Sequence, residues 1–262
     1  MNGKINIVPI AKWLKGAESP LIIAGPCSAE NEKQLITTAH QLKDVPYVKI
    51  FRCGVWKPRT RPGSFEGAGN KALPWLKRVR EETGLKIAVE VALPAHVEKS
   101  LKYDIDVLWV GARTVVNPFS IQELAASLQN TDLPLLIKNP VIPDLDLWIG
   151  AIERFYEAGL NKIVAVHRGF TTYTRTHYRN NPLWEIPEKL KQAFPNLPVI
   201  CDPSHISGNY KYITEISEHA LSIGMSGLMI ESHYEPQNAL TDSEQQITPV
   251  ELGKMLDKII SH

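Results

Sequence analysis

The stretch Tyr47-Val-Lys-Ile-Phe51, running on into Arg52-Cys-Gly-Val-Trp-Lys57-Pro-Arg-Thr-Arg-Pro-Gly63, decides how the chain is read. Its first half is a short, nearly continuous apolar run, the pattern of a strand buried on both faces. Its second half crowds Arg52, Lys57, Arg59 and Arg61 into one loop. Pro58 and Pro62 stiffen that loop, each fixing its own φ and restricting the residue before it. Guanidinium forks on a stiff loop suit a phosphate or carboxylate held in one orientation. A solvated basic turn is the other meaning of a charge run, and the loop alone supports both.

Working outward, the same strand-then-loop unit recurs. Apolar, β-branched runs at Leu21–Ala24, Tyr47–Phe51, Lys86–Val91, Asp106–Val110, Leu135–Lys138, Lys162–Val166, Pro198–Cys201 and Gly227–Glu231 repeat at intervals of roughly 25 to 35 residues, which suits βα units. Between them lie segments of helical period. Trp148, Ala151, Ile152 and Phe155 share one face, with Asp144 placed to cap the start and Gly159 to end it. Leu252, Met255, Leu256 and Ile259 repeat that spacing behind Thr248-Pro-Val-Glu251, a capping box with proline at the first helical position. Further helices are expected over Glu30–Lys43, Asn70–Thr83, Ala95–Lys102, Phe119–Gln129, Leu183–Phe194 and Tyr210–Ile223. Eight such pairs, with no linker long enough to divide them, predict a single (β/α)₈ barrel of the α/β class over residues 21–262. Residues 1–20 form an N-terminal extension with room for a short strand or hairpin at Lys4–Val8 and a helical turn, enough to plug the lower end of the barrel. A doubly wound sheet would normally open with a glycine-rich turn, and neither GxGxxG nor a P-loop is present.

The composition agrees and narrows the function. Of 262 residues, 44% are hydrophobic, and Lys+Arg 29 against Asp+Glu 28 gives a formal charge of +1. Nothing pulls the whole molecule toward nucleic acid or an anionic membrane, so clustered cations imply a local pocket for a small anion. No apolar run is long enough to span a bilayer, and the first twenty residues lack a signal-peptide pattern. Cys27, Cys53 and Cys201 are widely spaced and odd in number, which points to a reducing cytoplasm.

In such a barrel the chemistry lies at the carboxyl ends of the strands. Those ends bring together Cys27, Arg52, Glu90, Arg113, Lys138, His167, Arg168, Asp202, His205, Glu231 and His233, with Asp242 in the loop beyond. Arg52, Lys57, Arg113, Lys138 and Arg168 make a cationic subsite that a doubly charged group such as a phosphate would neutralise. Cys27, His205, Glu231 and Asp242 make a second, whose mixture of thiolate, imidazole and carboxylate suits a transition or zinc-like divalent ion. His167 and His233 stand as rival ligands, and a packed thiol and a hydrogen-bonded loop histidine are the plainer readings of Cys27 and His205.

Ala24-Gly-Pro-Cys-Ser28, Lys57-Pro-Arg-Thr60, Gly111-Ala-Arg113, His167-Arg-Gly169, Asp202-Pro-Ser-His205 and Glu231-x-His233 followed by Asp242 run in order through the whole chain. Together they resemble the 3-deoxy-D-arabino-heptulosonate 7-phosphate (DAHP) synthase family, type Iβ. The resemblance implies a barrel that condenses phosphoenolpyruvate with erythrose 4-phosphate, the first step of the shikimate pathway. It implies that Cys27, His205, Glu231 and Asp242 bind a divalent metal, Mn²⁺ first and Fe²⁺, Co²⁺ or Zn²⁺ as alternatives. It places phosphoenolpyruvate on Arg52, Lys57, the Ala112 backbone with Arg113, Lys138 and Arg168, and the sugar phosphate on Arg59 and Thr60. Lys138, His205 and Cys27 are the expected catalytic residues. It further implies a homo-oligomer, dimer or tetramer, and a chorismate mutase domain or partner through which feedback by aromatic amino acids would act.

The nearest rival is 3-deoxy-D-manno-octulosonate 8-phosphate synthase, which shares the barrel, the metal set and the phosphoenolpyruvate pocket. It carries a Lys-Ala-Asn-Arg-Ser-type motif after the second strand, where Lys57-Pro-Arg-Thr60 stands here. A non-catalytic barrel sensing phosphorylated metabolites would have no need of all four metal-compatible residues.

Overall fold

Every one of the eight apolar runs is a strand, and burial explains why. β1 (Leu21–Gly25), β4 (Val107–Val110), β5 (Leu135–Lys138), β6 (Ile163–His167), β7 (Val199–Cys201) and β8 (Gly227–Glu231) are buried at every position. β2 (Val48–Cys53) and β3 (Lys86–Val91) each have one position that is not. The computed structural model describes residues 5–16, 20–59, 61, 63–174 and 176–260. Each strand pairs in parallel with the next, and β8 closes on β1 from Leu21↔Gly227 to Gly25↔Glu231. The result is a closed eight-stranded barrel with helices outside, as the spacing predicts.

Residue alternation divides the core in two. Leu21, Ile23, Ile50, Ala88, Val107, Trp109, Leu136, Val164, Val166, Ile200 and Met229 fill the barrel interior. Their neighbours in sequence, such as Ile22, Phe51, Val89, Leu108 and Ile137, pack outward under the helices. The barrel is therefore a filled core with a reactive mouth, not a pore.

The helices are α1 (Ile10–Trp13), α2 (Glu32–Lys43), α3 (Ala72–Thr83), α4 (Pro94–Lys102), α5 (Ala112–Val115), α6 (Pro118–Ser127), α7 (Leu145–Glu157), α8 (Glu185–Ala193), α9 (Pro203–Ser207), α10 (Ile213–Ser222) and α11 (Pro249–Ile260). Asp144 caps α7 through the Leu147 N–H. Before α11, the Thr248 side chain accepts from the Glu251 N–H while the Glu251 carboxylate accepts from the Thr248 N–H, so the capping box forms in both directions.

Three details differ from the expectation. Ile5–Pro9 carry no strand; Val8 donates its N–H to the Asn161 carbonyl instead. A closed barrel offers no free strand edge for an added strand to join. Leu14, packed with Ile10 and Trp13, nevertheless seals the amino-terminal end of the barrel interior. The helix expected over Tyr210–Ile223 opens with a 3₁₀ turn at Tyr210–Tyr212, and the one over Leu183–Phe194 starts at Glu185, because Leu183 takes φ 40°.

Candidate active site

The tightest cluster at the barrel mouth comes from the two strands that close it. β1 runs into Cys27, β8 ends on Glu231, and the loop beyond β8 folds Asp242 over both. One ligand atom from each of these three lies within 4.8 Å of the others. The Cys27 thiol is 3.1 Å from Asp242 Oδ2. His205, on α9, stands just outside this set with Nε2 3.7 Å from Glu231 Oε1. Two glycines permit the arrangement. A Cβ on Gly25 (φ 151°) would sit 2.1 Å from the Arg52 carbonyl oxygen, and one on Gly54 2.7 Å from the Cys27 carbonyl oxygen.

Two adjacent glutamines hold the cluster. Gln246 accepts from the Cys27 N–H at 3.0 Å and donates to the Thr241 carbonyl at 2.9 Å. Gln245 donates to Glu231 Oε2 at 2.7 Å. Among the described residues Glu231 Oε1 is left buried with no hydrogen-bond partner, facing Arg52 Nη1 at 3.3 Å. An unsatisfied carboxylate oxygen beside a thiol, a second carboxylate and an imidazole nitrogen fits a divalent cation. Burial raises the Cys27 thiol well above its ordinary pKa, and Glu231 adds to the shift. Burial pushes Glu231 up, but His205 and Arg52 outweigh it and hold the carboxylate below its ordinary value. Asp242 behaves likewise, held low by Arg179 and His205 against its own burial.

Behind the cluster lies Asp202, fully buried at the end of β7. It accepts from Lys138 Nζ at 2.7 Å, from the His205 ring Nδ1 at 2.8 Å and from the His205 backbone N–H at 3.1 Å. A carboxylate on Nδ1 fixes the imidazole so that Nε2 is presented to the cluster. Burial lowers the pKa of Lys138, with the Asp202 charge pulling it partly back, and burial lowers His205 in the same way.

Beside the cluster opens a cavity of about 240 Å³ lined by Lys57, Arg113, Lys138, Arg168 and Arg179, with Ala112, Glu90 and His205. Lys57 has Glu90 at 3.7 Å. Burial lowers Arg168 to about 10 despite the Asp202 charge, with Arg179 and Arg113 contributing in the same direction. Several cations, few carboxylates and a small volume suit an oxyanion. Another hollow, about 460 Å³, opens at the opposite end of the barrel, but its cations are taken up: Lys86 pairs with Asp106 at 2.7 Å, Lys162 with Asp132, and Arg80 bonds the Asp104 carbonyl.

Four of the five cations expected to converge do line the cavity. Arg52 does not: it is fully buried beneath the mouth, donating to the Cys27 carbonyl at 3.3 Å and lying 4.8 Å over the Trp109 ring. Its place inside β2 sets it one layer lower than the loop residue Lys57. Arg59 also lies off the cavity, its Nε donating to the Phe65 carbonyl at 2.7 Å, and Thr60 falls outside the described residues. His167 and His233 do not join the cluster. His167 is buried with its ring 5.1 Å from Trp184, and His233 Nδ1 accepts from the Glu235 N–H at 2.9 Å. No local motif marks Arg179, Gln245 or Gln246 in the sequence. Arg179 lies far down the loop after β6, and the only signal was its place in the basic, aromatic run Tyr173–Arg179.

The chain matches the DAHP synthetase I family over residues 4–261. It is similar to phospho-2-dehydro-3-deoxyheptonate aldolase of Thermotoga maritima, 32% identical over 226 residues, which covers 86% of this chain and 64% of that protein. The chain thus spans a little under two thirds of that relative. It is also similar to 2-dehydro-3-deoxyphosphooctonate aldolase of Nitratidesulfovibrio vulgaris, 25% identical over 251 residues, 89% of this chain and 88% of the other. Among solved structures, the crystal structure of the Thermotoga maritima phospho-2-dehydro-3-deoxyheptonate aldolase (DAHP synthase) superposes with a TM-score of 0.82 at 28% identity, covering 92% of this chain and 68% of that one.

Proposed function

The chain belongs to the DAHP synthetase I family, and from that premise we propose that it joins phosphoenolpyruvate to D-erythrose 4-phosphate, giving 3-deoxy-D-arabino-heptulosonate 7-phosphate and phosphate. One observation carries the reading: a cavity lined by cations from separate strand ends opens directly beside the Cys27, Glu231 and Asp242 cluster. Two anionic substrates must be fixed side by side, an orientation problem that convergent Arg and Lys side chains address.

In this reading Lys57, Arg113 and Arg168 hold the carboxylate and phosphate of phosphoenolpyruvate, and Arg52 supports the site from below. Arg59 and Thr60 grip the sugar phosphate. Cys27, His205, Glu231 and Asp242 hold a divalent cation, Mn²⁺ by preference, which supplies Lewis-acid polarisation of the aldehyde. The enol carbon attacks the aldehyde carbon, water adds at the former enol-ether carbon, and phosphate leaves from the hemiketal. The new alkoxide needs a proton, and Lys138 supplies it. Burial lowers its pKa, while the Asp202 carboxylate 2.7 Å away pulls it partly back and aims the ammonium.

We place the enzyme in the cytoplasm as a homo-oligomer with a chorismate mutase domain or partner; light scattering of the purified chain tests the oligomer. The decisive assay follows phosphoenolpyruvate loss with erythrose 4-phosphate or arabinose 5-phosphate, with and without chelator. Turnover only with arabinose 5-phosphate would replace this reading with that of an octulosonate 8-phosphate synthase.

A further inference from the structure

Arg179 stands where the oxyanion cavity meets the cation-binding cluster. Its Nη1 donates to Asp242 Oδ1 at 2.8 Å and to Gln245 Oε1 at 2.7 Å, and the same side chain, 45% exposed, lines the cavity. Gln245 carries the connection on to Glu231 through its other end. The base of the side chain is anchored. The Arg179 N–H donates to the Ser207 carbonyl, the Asn180 N–H to the Ile206 carbonyl, and the Asn180 side chain to the His205 carbonyl, all on α9. Gly208 leaves the room this requires, since a Cβ there would stand 2.5 Å from the Arg179 Cβ.

A long side chain on a fixed base can give its charge to Asp242 or to an anion in the cavity. Among the described cavity-lining cations, Arg179 is alone in sharing a carboxylate of the cluster. Lys57 pairs with Glu90, Lys138 with Asp202, and Arg168 donates to the Gly169 carbonyl. Arg52 does share Glu231, but it does not reach the cavity. A cation taken up by Cys27, Glu231 and Asp242 draws on the same carboxylate charge that Arg179 shares, Arg179 sitting on Asp242 Oδ1 and the Cys27 thiol on Oδ2.

We propose that Arg179 couples the two sites: cation loading draws Asp242 away from Arg179 and turns the guanidinium to a tetrahedral oxyanion in the cavity. The inference rests on the cation-site reading above. Coupling of this kind is reciprocal, so an oxyanion tightens cation binding by the factor by which the cation tightens the oxyanion.

Calorimetric titration of Mn²⁺ into the chelator-stripped chain, in sulfate and in chloride at matched ionic strength, tests this without any turnover. In the wild-type chain, saturating sulfate should tighten Mn²⁺ binding about five-fold or more. Arg179→Gln should bind Mn²⁺ in chloride at least as tightly as the wild type and ignore sulfate, while Arg179→Lys keeps part of the coupling. A wild-type affinity indifferent to sulfate, or a sulfate effect that survives in Arg179→Gln, overturns the coupling and leaves the cation site standing. An Arg179→Gln chain with an unchanged thermal melt but weaker Mn²⁺ binding makes Arg179 a mere prop for Asp242, and also overturns it. A chain that takes up no Mn²⁺ removes the cation site and the coupling together.

Discussion

Asp202→Asn is the sharpest single test of how this mouth is charged. The carboxylate is fully buried and serves Lys138, the His205 ring and the His205 backbone at once. Asparagine keeps an oxygen for the His205 N–H, so the cap on α9 survives while the charge is lost. Among the described residues, the Lys138 ammonium, 5% exposed, then has no carboxylate within salt-bridge distance. Removing one partner of a buried pair costs about 3–5 kcal/mol. Lys138 limits the loss by shedding its proton, because burial already holds its pKa low and the Asp202 charge is the main force restoring it. We therefore expect Asp202→Asn to lose about 3 kcal/mol of unfolding free energy at neutral pH, the lower end of that range. Asp202→Ala, which also removes the cap, should lose about 1 kcal/mol more. Urea unfolding with an unchanged m value measures both. In turnover, a neutral Lys138 should depress kcat and move the alkaline limb of the pH profile to lower pH. An asparagine variant within about 1 kcal/mol of the wild type, with its alkaline limb in place, would refute the dependence of Lys138 on Asp202.

The other expectations are briefer. His167 is buried and held neutral, its pKa lowered by burial from 6.5 to about 3. The native state thus binds fewer protons than the unfolded one below pH 6.5, and stability should fall by up to about 1.4 kcal/mol per pH unit on acidification from there toward pH 3. The difference between the wild-type and His167→Met stability curves should be flat above that window and sloped within it; a parallel pair of curves would refute the shift. Chelation should abolish turnover and Mn²⁺ restore it, and Cys27→Ala should weaken Mn²⁺ binding in calorimetry; full activity after exhaustive chelation would sink the cation reading. Arg59→Ala should raise KM for erythrose 4-phosphate far more than for phosphoenolpyruvate, by about 2 kcal/mol or roughly 30-fold, and equal effects on both substrates would show that the subsites are misassigned.

What was legible in the sequence follows from what each residue touches. The strands could be read because a barrel strand is buried on both faces and must be apolar along its length, as Leu21–Gly25 and Gly227–Glu231 are. The caps at Asp144 and Thr248 could be read because they act across three residues of the same chain segment. The N-terminal strand failed because pairing depends on a free edge, which the closed barrel removes. Strand-end position placed Arg52 and Lys57 on the same rim, but it says nothing of depth. Arg52, still inside β2, lies beneath Glu231, whereas Lys57, in the loop, faces the cavity. The residues that escaped entirely connect distant segments. Gln246 reaches Cys27 across 219 positions, Arg179 reaches Asp242 across 63, and neither partner lies in a local pattern that marks the pair. A side chain that supplies chemistry tends to sit in a motif with its neighbours. One that orients chemistry is chosen by the geometry of the closed fold, so Gln245, Gln246 and Arg179 emerge only when β8 has been brought back against β1.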